Sequence, residues 1–114
     1  MKLTFKQIMD DIIKKQYNYI PKAEGVYVVK NKADEILYIG KGVNLKRRIK
    51  QFVYQGYGKG NNHRGGKSLF TLTGWKDFTI EFTECENARD KEKAMIQDYK
   101  DTFNGNRPFA NKRD

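Results

Sequence analysis

Two short runs rich in β-branched and aromatic residues, Val26-Tyr27-Val28-Val29 and Ile36-Leu37-Tyr38-Ile39, stand either side of the polar stretch Asn31-Lys32-Ala33-Asp34. That pattern predicts a β-hairpin, since such residues suit a pleated surface and the polar stretch supplies the turn. Gly25 opens the first run and Gly40 closes the second, so the hairpin is framed by Gly25-Val26-Tyr27 and Tyr38-Ile39-Gly40. Alternation along a strand puts Tyr27 on the face opposite Val26 and Val28, and Tyr38 opposite Leu37 and Ile39. Whether the two tyrosines share a face depends on register, which belongs to the folded chain.

Helical spacing surrounds the hairpin. Thr4 followed by Gln7 reads as a capping box, and Phe5, Ile8, Met9, Ile12 and Ile13 give an amphipathic helix within a helical extension over residues 1–20. After Gly42, Asn44 is placed to cap a helix whose apolar stripe is Leu45, Ile49, Phe52 and Val53. Residues 56–67 hold five glycines among asparagines and cations and read as a long loop. Leu69, Phe70 and Leu72 predict a short helix, and Phe78, Ile80 and Phe82 alternate as a third strand. Asn87 is placed to cap a final helix carrying Ala88, Met95, Ile96, Tyr99 and Phe103, stopped by Gly105 and Pro108. Three strands then make one small sheet with helices on its faces, an α/β (α+β) layer arrangement built on an antiparallel hairpin and not a Rossmann unit.

At 114 residues the chain suits one small domain, 1–114, with a modest core. Lys and Arg number 23 against 14 Asp and Glu, and a net charge of +9 favours polyanions, nucleic acid first. No run approaches the roughly 18–20 apolar residues that cross a bilayer, so no membrane partner is expected. Lys6, Asp10 and Asp11 interrupt any export signal, and Cys85 is the only cysteine. An intracellular, cytoplasmic setting follows, without a disulfide, a zinc cluster or a CxxC redox pair.

Two charges break the apolar pattern. At about 100° per residue, Arg48 lies some 40° from Phe52 and flanks the buried stripe of its helix, while Arg47 points away. Glu92 lies about 40° from both Ala88 and Ile96, inside the apolar stripe of the last helix. A buried acid calls for a cationic partner or a metal, so the alternatives are an ion pair with Arg48 or Lys41 and a functional carboxylate. The tyrosines alone read as packing residues, His63 as a loop histidine and Asn111 as a terminal polar residue.

Taken together, Gly25-Val26-Tyr27, then Tyr38-Ile39-Gly40-Lys41-Gly42-Val43-Asn44-Leu45-Lys46-Arg47-Arg48-Ile49, then Glu92 and Pro108-Phe109-Ala110-Asn111, resemble the GIY-YIG nuclease family over residues 25–111. The family includes an excision-repair incision nuclease and phage homing endonucleases. The resemblance implies a three-stranded antiparallel sheet flanked by helices. It also implies catalytic roles for Tyr27, Tyr38, Lys41, Arg48 and Asn111, and a metal-ligand role for Glu92 toward one Mg²⁺ or Mn²⁺ ion per site. Where some members carry a histidine or tyrosine four residues past the arginine, this chain has Phe52; His63, in the glycine-rich loop, is the stand-in.

These roles suit phosphodiester hydrolysis, which needs an activated water and compensation of charge on the phosphoryl and leaving oxygens. A single carboxylate suffices for Mg²⁺, which keeps several waters. A tyrosine base, with an ordinary pKa near ~10, needs neighbouring cations to lower it. The expected activity is a metal-dependent endonuclease acting on single- or double-stranded DNA with low or structure-based specificity. Lys46, Arg47 and Lys50 on the helix and Lys59, Arg64 and Lys67 in the loop would contact phosphates. The alternatives are a catalytically silent nucleic-acid-binding module, a DNA-positioning subunit, and an RNA-directed nuclease. Cutting both strands calls for a homodimer or sequential events, and a partner protein is the other source of specificity.

Overall fold

The computed structural model describes residues 2–53, 69 and 72–111. Along the chain run β1 (Lys2–Thr4), α1 (Phe5–Ile13), β2 (Gly25–Lys30), β3 (Ile36–Gly42), α2 (Leu45–Lys50), a 3₁₀ turn at Trp75–Asp77, β4 (Thr79–Glu84) and a last helix, α3 (Ala88–Thr102). The hairpin forms as expected from β2 and β3, with Tyr27 opposite Gly40 and Val29 opposite Tyr38. Its turn is closed by Asn31, whose Oδ1 accepts from the Glu35 amide at 2.9 Å, while Asp34 takes a left-handed φ of 69° that Asp tolerates.

β4 pairs antiparallel with the other edge of β2, Val29 standing opposite Ile80. A fourth strand joins these three: Lys2–Thr4 pairs with Thr79–Glu81, giving the sheet order β1-β4-β2-β3. The helical extension expected over residues 1–20 is thus corrected at its start, and its helix spans only Phe5–Ile13. A three-residue strand is too short to show a period in sequence; it forms because β4 has an edge to pair and Leu3 is buried opposite Ile80. Thr4 leaves that strand and caps α1, its Oγ1 accepting from the Gln7 amide at 3.1 Å.

One face of the sheet carries Leu3, Tyr27, Val29 and Ile80 into the main core, where they meet Phe5 and Ile8 of α1 and Leu45 and Ile49 of α2. Asn44 caps α2 as predicted, its Oδ1 accepting from the Arg47 amide at 3.1 Å. Residues 51–53 continue in a wider π-type turn, with Phe52 and Val53 fully buried. Phe5 packs edge-on against both Phe52 and Phe78, at 6.0 and 5.8 Å between ring centres. α3 lies against β3 and β2, and its buried Ala88 and Ile96 go with Val26 and Ile39, which alternation puts on the opposite face.

The expected cap of α3 is replaced. Asn87 adopts a left-handed φ of 54° and its side chain caps nothing. Glu24, 64 residues upstream, accepts from the Ala88 amide at 3.0 Å instead. Asn87 is taken up by the sharp exit from β4, and a carboxylate at a helix start also meets the positive end of the helix dipole. Near the predicted short helix, Leu69 is helical and buried and its carbonyl accepts from the Leu72 amide at 3.1 Å. Phe70 and the loop at 56–67 lie outside the described residues, and with them His63, Lys59, Arg64 and Lys67.

Candidate active site

Register answers the question left by alternation. Tyr27 stands opposite Gly40, and Tyr38, two residues earlier on β3, stands opposite Val29, so both phenols lie on one face with ring centres 6.0 Å apart. Gly40 is what lets them meet. A Cβ there would stand 2.5 Å from Tyr27 Cζ and 2.7 Å from both the Tyr27 hydroxyl and Tyr38 Cε2. Phe52 completes the packing from α2, 4.9 Å from Tyr38 and 5.5 Å from Tyr27 between ring centres.

Tyr27 is fully enclosed, whereas Tyr38 is half-buried and reaches the surface. Burial pushes both phenols up, Tyr27 well above its ordinary value, while the Arg48 charge and its hydrogen bond pull both down. The two hydroxyls are hydrogen-bonded to each other, so the phenols act on one another as well as on Arg48. Arg48 acts in the lowering direction that a tyrosine base needs, and burial acts against it.

Arg48 is positioned by α2 and by Gly42, where a Cβ would press 2.8 Å from Arg48 Cβ. Its Nη1 also donates to Gln51 at 3.5 Å. From the other side of the sheet α3 brings Glu92, half-buried, into the field of Tyr38, Lys41 and Arg48. Burial pushes the Glu92 carboxyl up, and Lys41, Arg48 and Lys93 pull it down. Among the described residues no cation comes within ion-pair distance of it, so the structural pair with Lys41 or Arg48 is not formed. Lys41 itself is exposed on β3.

The donor set fits a hard divalent cation. Among the described residues no group of three or more His, Cys, Asp or Glu could cage a metal. A lone carboxylate suits Mg²⁺, which completes its shell with water and phosphate oxygen.

Asn111 is buried, with Oδ1 accepting from the Ile39 amide and Nδ2 donating to the Ile39 carbonyl, both at 2.9 Å. The carboxamide thus mimics a strand against the open edge of β3, between Tyr38 and Gly40, helped by the Ala110 amide donating to the Leu37 carbonyl at 2.8 Å. Both polar atoms of Asn111 are thus committed to the main chain of β3, an arrangement that positions the strand carrying Tyr38. Lys46, Arg47 and Lys50 line a separate cleft with the segment after α1. Lys15 and Lys22 share that cleft and carry no signal in the sequence beyond their charge. Glu24 likewise has no local signature, since its partner is 64 residues away.

The family model of the GIY-YIG catalytic domain matches residues 23–106. UvrABC system protein C of Alkaliphilus metalliredigens is 34% identical over 74 residues, 65% of this chain, and that of Hyphomonas neptunium is 32% identical over 94 residues, 82% of this chain. The chain spans only 11% and 14% of the length of those two relatives. Among solved structures, the GIY-YIG N-terminal endonuclease domain of UvrC from Thermotoga maritima matches with a TM-score of 0.59 at 24% identity, covering 90% of this chain and 98% of that one. The magnesium-bound form of the same domain matches at 0.57 and 22% identity, covering 89% and 97%. At such identities the structural likeness speaks for the fold. A family match over most of the chain, carried on that same fold, leads to one conclusion: the chain belongs to the GIY-YIG nuclease family.

Proposed function

We propose that this chain is a divalent-metal-dependent endonuclease that hydrolyses DNA phosphodiesters with low or structure-based sequence specificity. The observation that carries the reading is a half-buried Glu92 without an ion-pair partner among the described residues, set in the field of Tyr38, Arg48 and Lys41. A fold that only bound nucleic acid would gain nothing from a desolvated carboxylate there.

Each residue has a part in the hydrolysis. Tyr38, half-buried, takes the proton of the attacking water, with Arg48 favouring its phenolate against the opposing effect of burial; Tyr27, enclosed, packs beside it and positions it. Arg48 donates to the non-bridging phosphoryl oxygens, where two parallel N–H groups match phosphate geometry. Lys41, exposed beside the site, adds charge toward the same phosphate. Glu92 would hold Mg²⁺ or Mn²⁺, and the chemistry that ion supplies is neutralisation of charge on the phosphate and the leaving 3′ oxygen. The products expected are 5′-phosphate and 3′-hydroxyl ends. Asn111 and Gly40 keep β3 and the tyrosine pair in register.

Cleavage of labelled single-stranded, duplex and branched DNA tests the reading, with Mg²⁺, Mn²⁺ or EDTA and with Glu92→Ala and Arg48→Ala beside the wild type. Metal-dependent cutting abolished by either substitution is expected. Binding without cutting in every condition would turn the reading to a silent binding module, and one discrete cut in a long duplex would refute low specificity.

A further inference from the structure

A second cleft of about 420 Å³ opens where the segment following α1 meets α2. Lys15, Lys22, Lys46, Arg47 and Lys50 line it, and among the described residues no acid does. The nearby acids of α1 are engaged elsewhere: Asp10 pairs with Lys6 at 3.0 Å, and Asp11 accepts from the Tyr19 hydroxyl at 2.7 Å. Five positive charges on one concavity repel one another, and an anion removes that cost.

The cleft is built rather than incidental. Tyr17 is buried and its hydroxyl donates to the Lys46 carbonyl at 2.9 Å, while Lys46 Nζ donates to Asn18 Oδ1 at 3.0 Å. The amides of Leu45 and Lys46 donate to the carbonyls of Ala23 and Pro21 at 2.9 and 3.0 Å, which ties the segment bearing Lys22 onto α2. Those bonds also occupy the first amides of α2, so any attraction for anions comes from the side chains. Lys15 holds a left-handed φ of 59°, a conformation that Gly or Asn takes at less cost. Lys15 thereby brings its charge to the cleft from the left-handed turn that ends α1.

The cleft neighbours the candidate active site. Asn44 and Arg47 also line a smaller cleft of about 130 Å³ that contains Arg48. Asn44 and Arg47 are thus shared between the cleft and the surroundings of Arg48.

We propose that this cleft holds backbone phosphates of the DNA flanking the bond to be cut, so that residues 15–22 act as a second phosphate-binding site. The inference rests on the nuclease reading above and extends it. Lysines contacting phosphates carry no base identity, so the site adds affinity and orientation without sequence preference.

The test compares Glu92→Gln protein with the same protein carrying Lys15→Asn and Lys22→Ala, titrated with a fluorescent DNA duplex across a salt series. Removing two phosphate contacts should weaken binding roughly tenfold or more near ~0.1 M salt and lower the slope of log affinity on log salt by about 1.8. With Glu92 restored, the double variant should cut with a raised KM and an unchanged kcat. Its Tm should equal or exceed that of the parent, because Asn suits the left-handed backbone. Unchanged affinity and slope alongside intact wild-type cleavage would overturn the cleft and leave the nuclease reading standing. A wild type that neither binds nor cuts DNA would overturn both. An effect confined to duplex RNA would overturn the assignment to DNA.

Discussion

Glu92 sits half-buried on α3 with its carboxyl pushed up by burial, ahead of the opposing pull of Lys41, Arg48 and Lys93. A carboxyl whose folded pKa is raised favours the folded state most below its unfolded pKa, and that benefit is lost as pH rises through the folded value. At neutral pH the ionised form therefore costs stability, so Glu92→Gln should raise the metal-free Tm at pH 7, with the gain vanishing below about pH 4. Mg²⁺ should raise the Tm of the wild type and leave that of Glu92→Gln unchanged, with EDTA reversing the shift. Thermal melts across pH, with and without the ion, check both; a destabilised Glu92→Gln at pH 7 would mean that the carboxylate makes a structural pair. Tyr38→Phe should lower cleavage roughly a hundredfold or more while keeping the packing against Phe52, since only the hydroxyl is lost. A single-turnover rate close to the wild type would remove Tyr38 from the role of base.

Among the elements, β3 depends on a partner that is not a strand. Asn111 occupies its open edge at Ile39, and the same bonds hold Tyr38 and Gly40 on either side. Asn111→Ala leaves two buried main-chain groups unpaired and should cost about 1–3 kcal/mol, read by chemical denaturation. Its cleavage should fall through misplacement of Tyr38, so that a variant as stable as the wild type would show the edge to be covered otherwise. The hairpin, both caps at Thr4 and Asn44, and the buried stripe of α2 were all legible in sequence, because each is set by neighbours a few residues apart. The cap of α3 was not. Asn87 has the right chemistry in the right place, yet the helix start is served by Glu24, just before β2, a partnership that no local pattern encodes. Arg48 and Glu92 could be singled out as misfits on apolar faces, but that Glu92 comes into the field of Arg48 without an ion pair among the described residues depends on how α2 and α3 pack on the sheet.

On the scale of the whole molecule the sheet gathers the chain from both ends. β1 pairs with the first half of β4, and Asn111 covers the edge of β3 at Ile39. Leu3→Ala should thus cost about 2–5 kcal/mol despite lying at the start of the chain, measured by urea unfolding. A loss below about 0.5 kcal/mol would make β1 a passenger. Among the described residues no helix is long and apolar enough to cross a membrane. By itself the sequence determined the hairpin, the helices with local caps, the basic balance and the residues too polar for their faces, because these follow from periods and spacings along the chain. Only the tertiary structure decided that Tyr27 and Tyr38 share a face, that Glu92 has no ion-pair partner among the described residues, that Asn111 serves an edge and that Lys15 and Lys22 join α2 in one cleft. Those depend on strand register and on contacts between residues far apart in the chain, where backbone hydrogen bonds and burial choose among partners that sequence leaves equivalent.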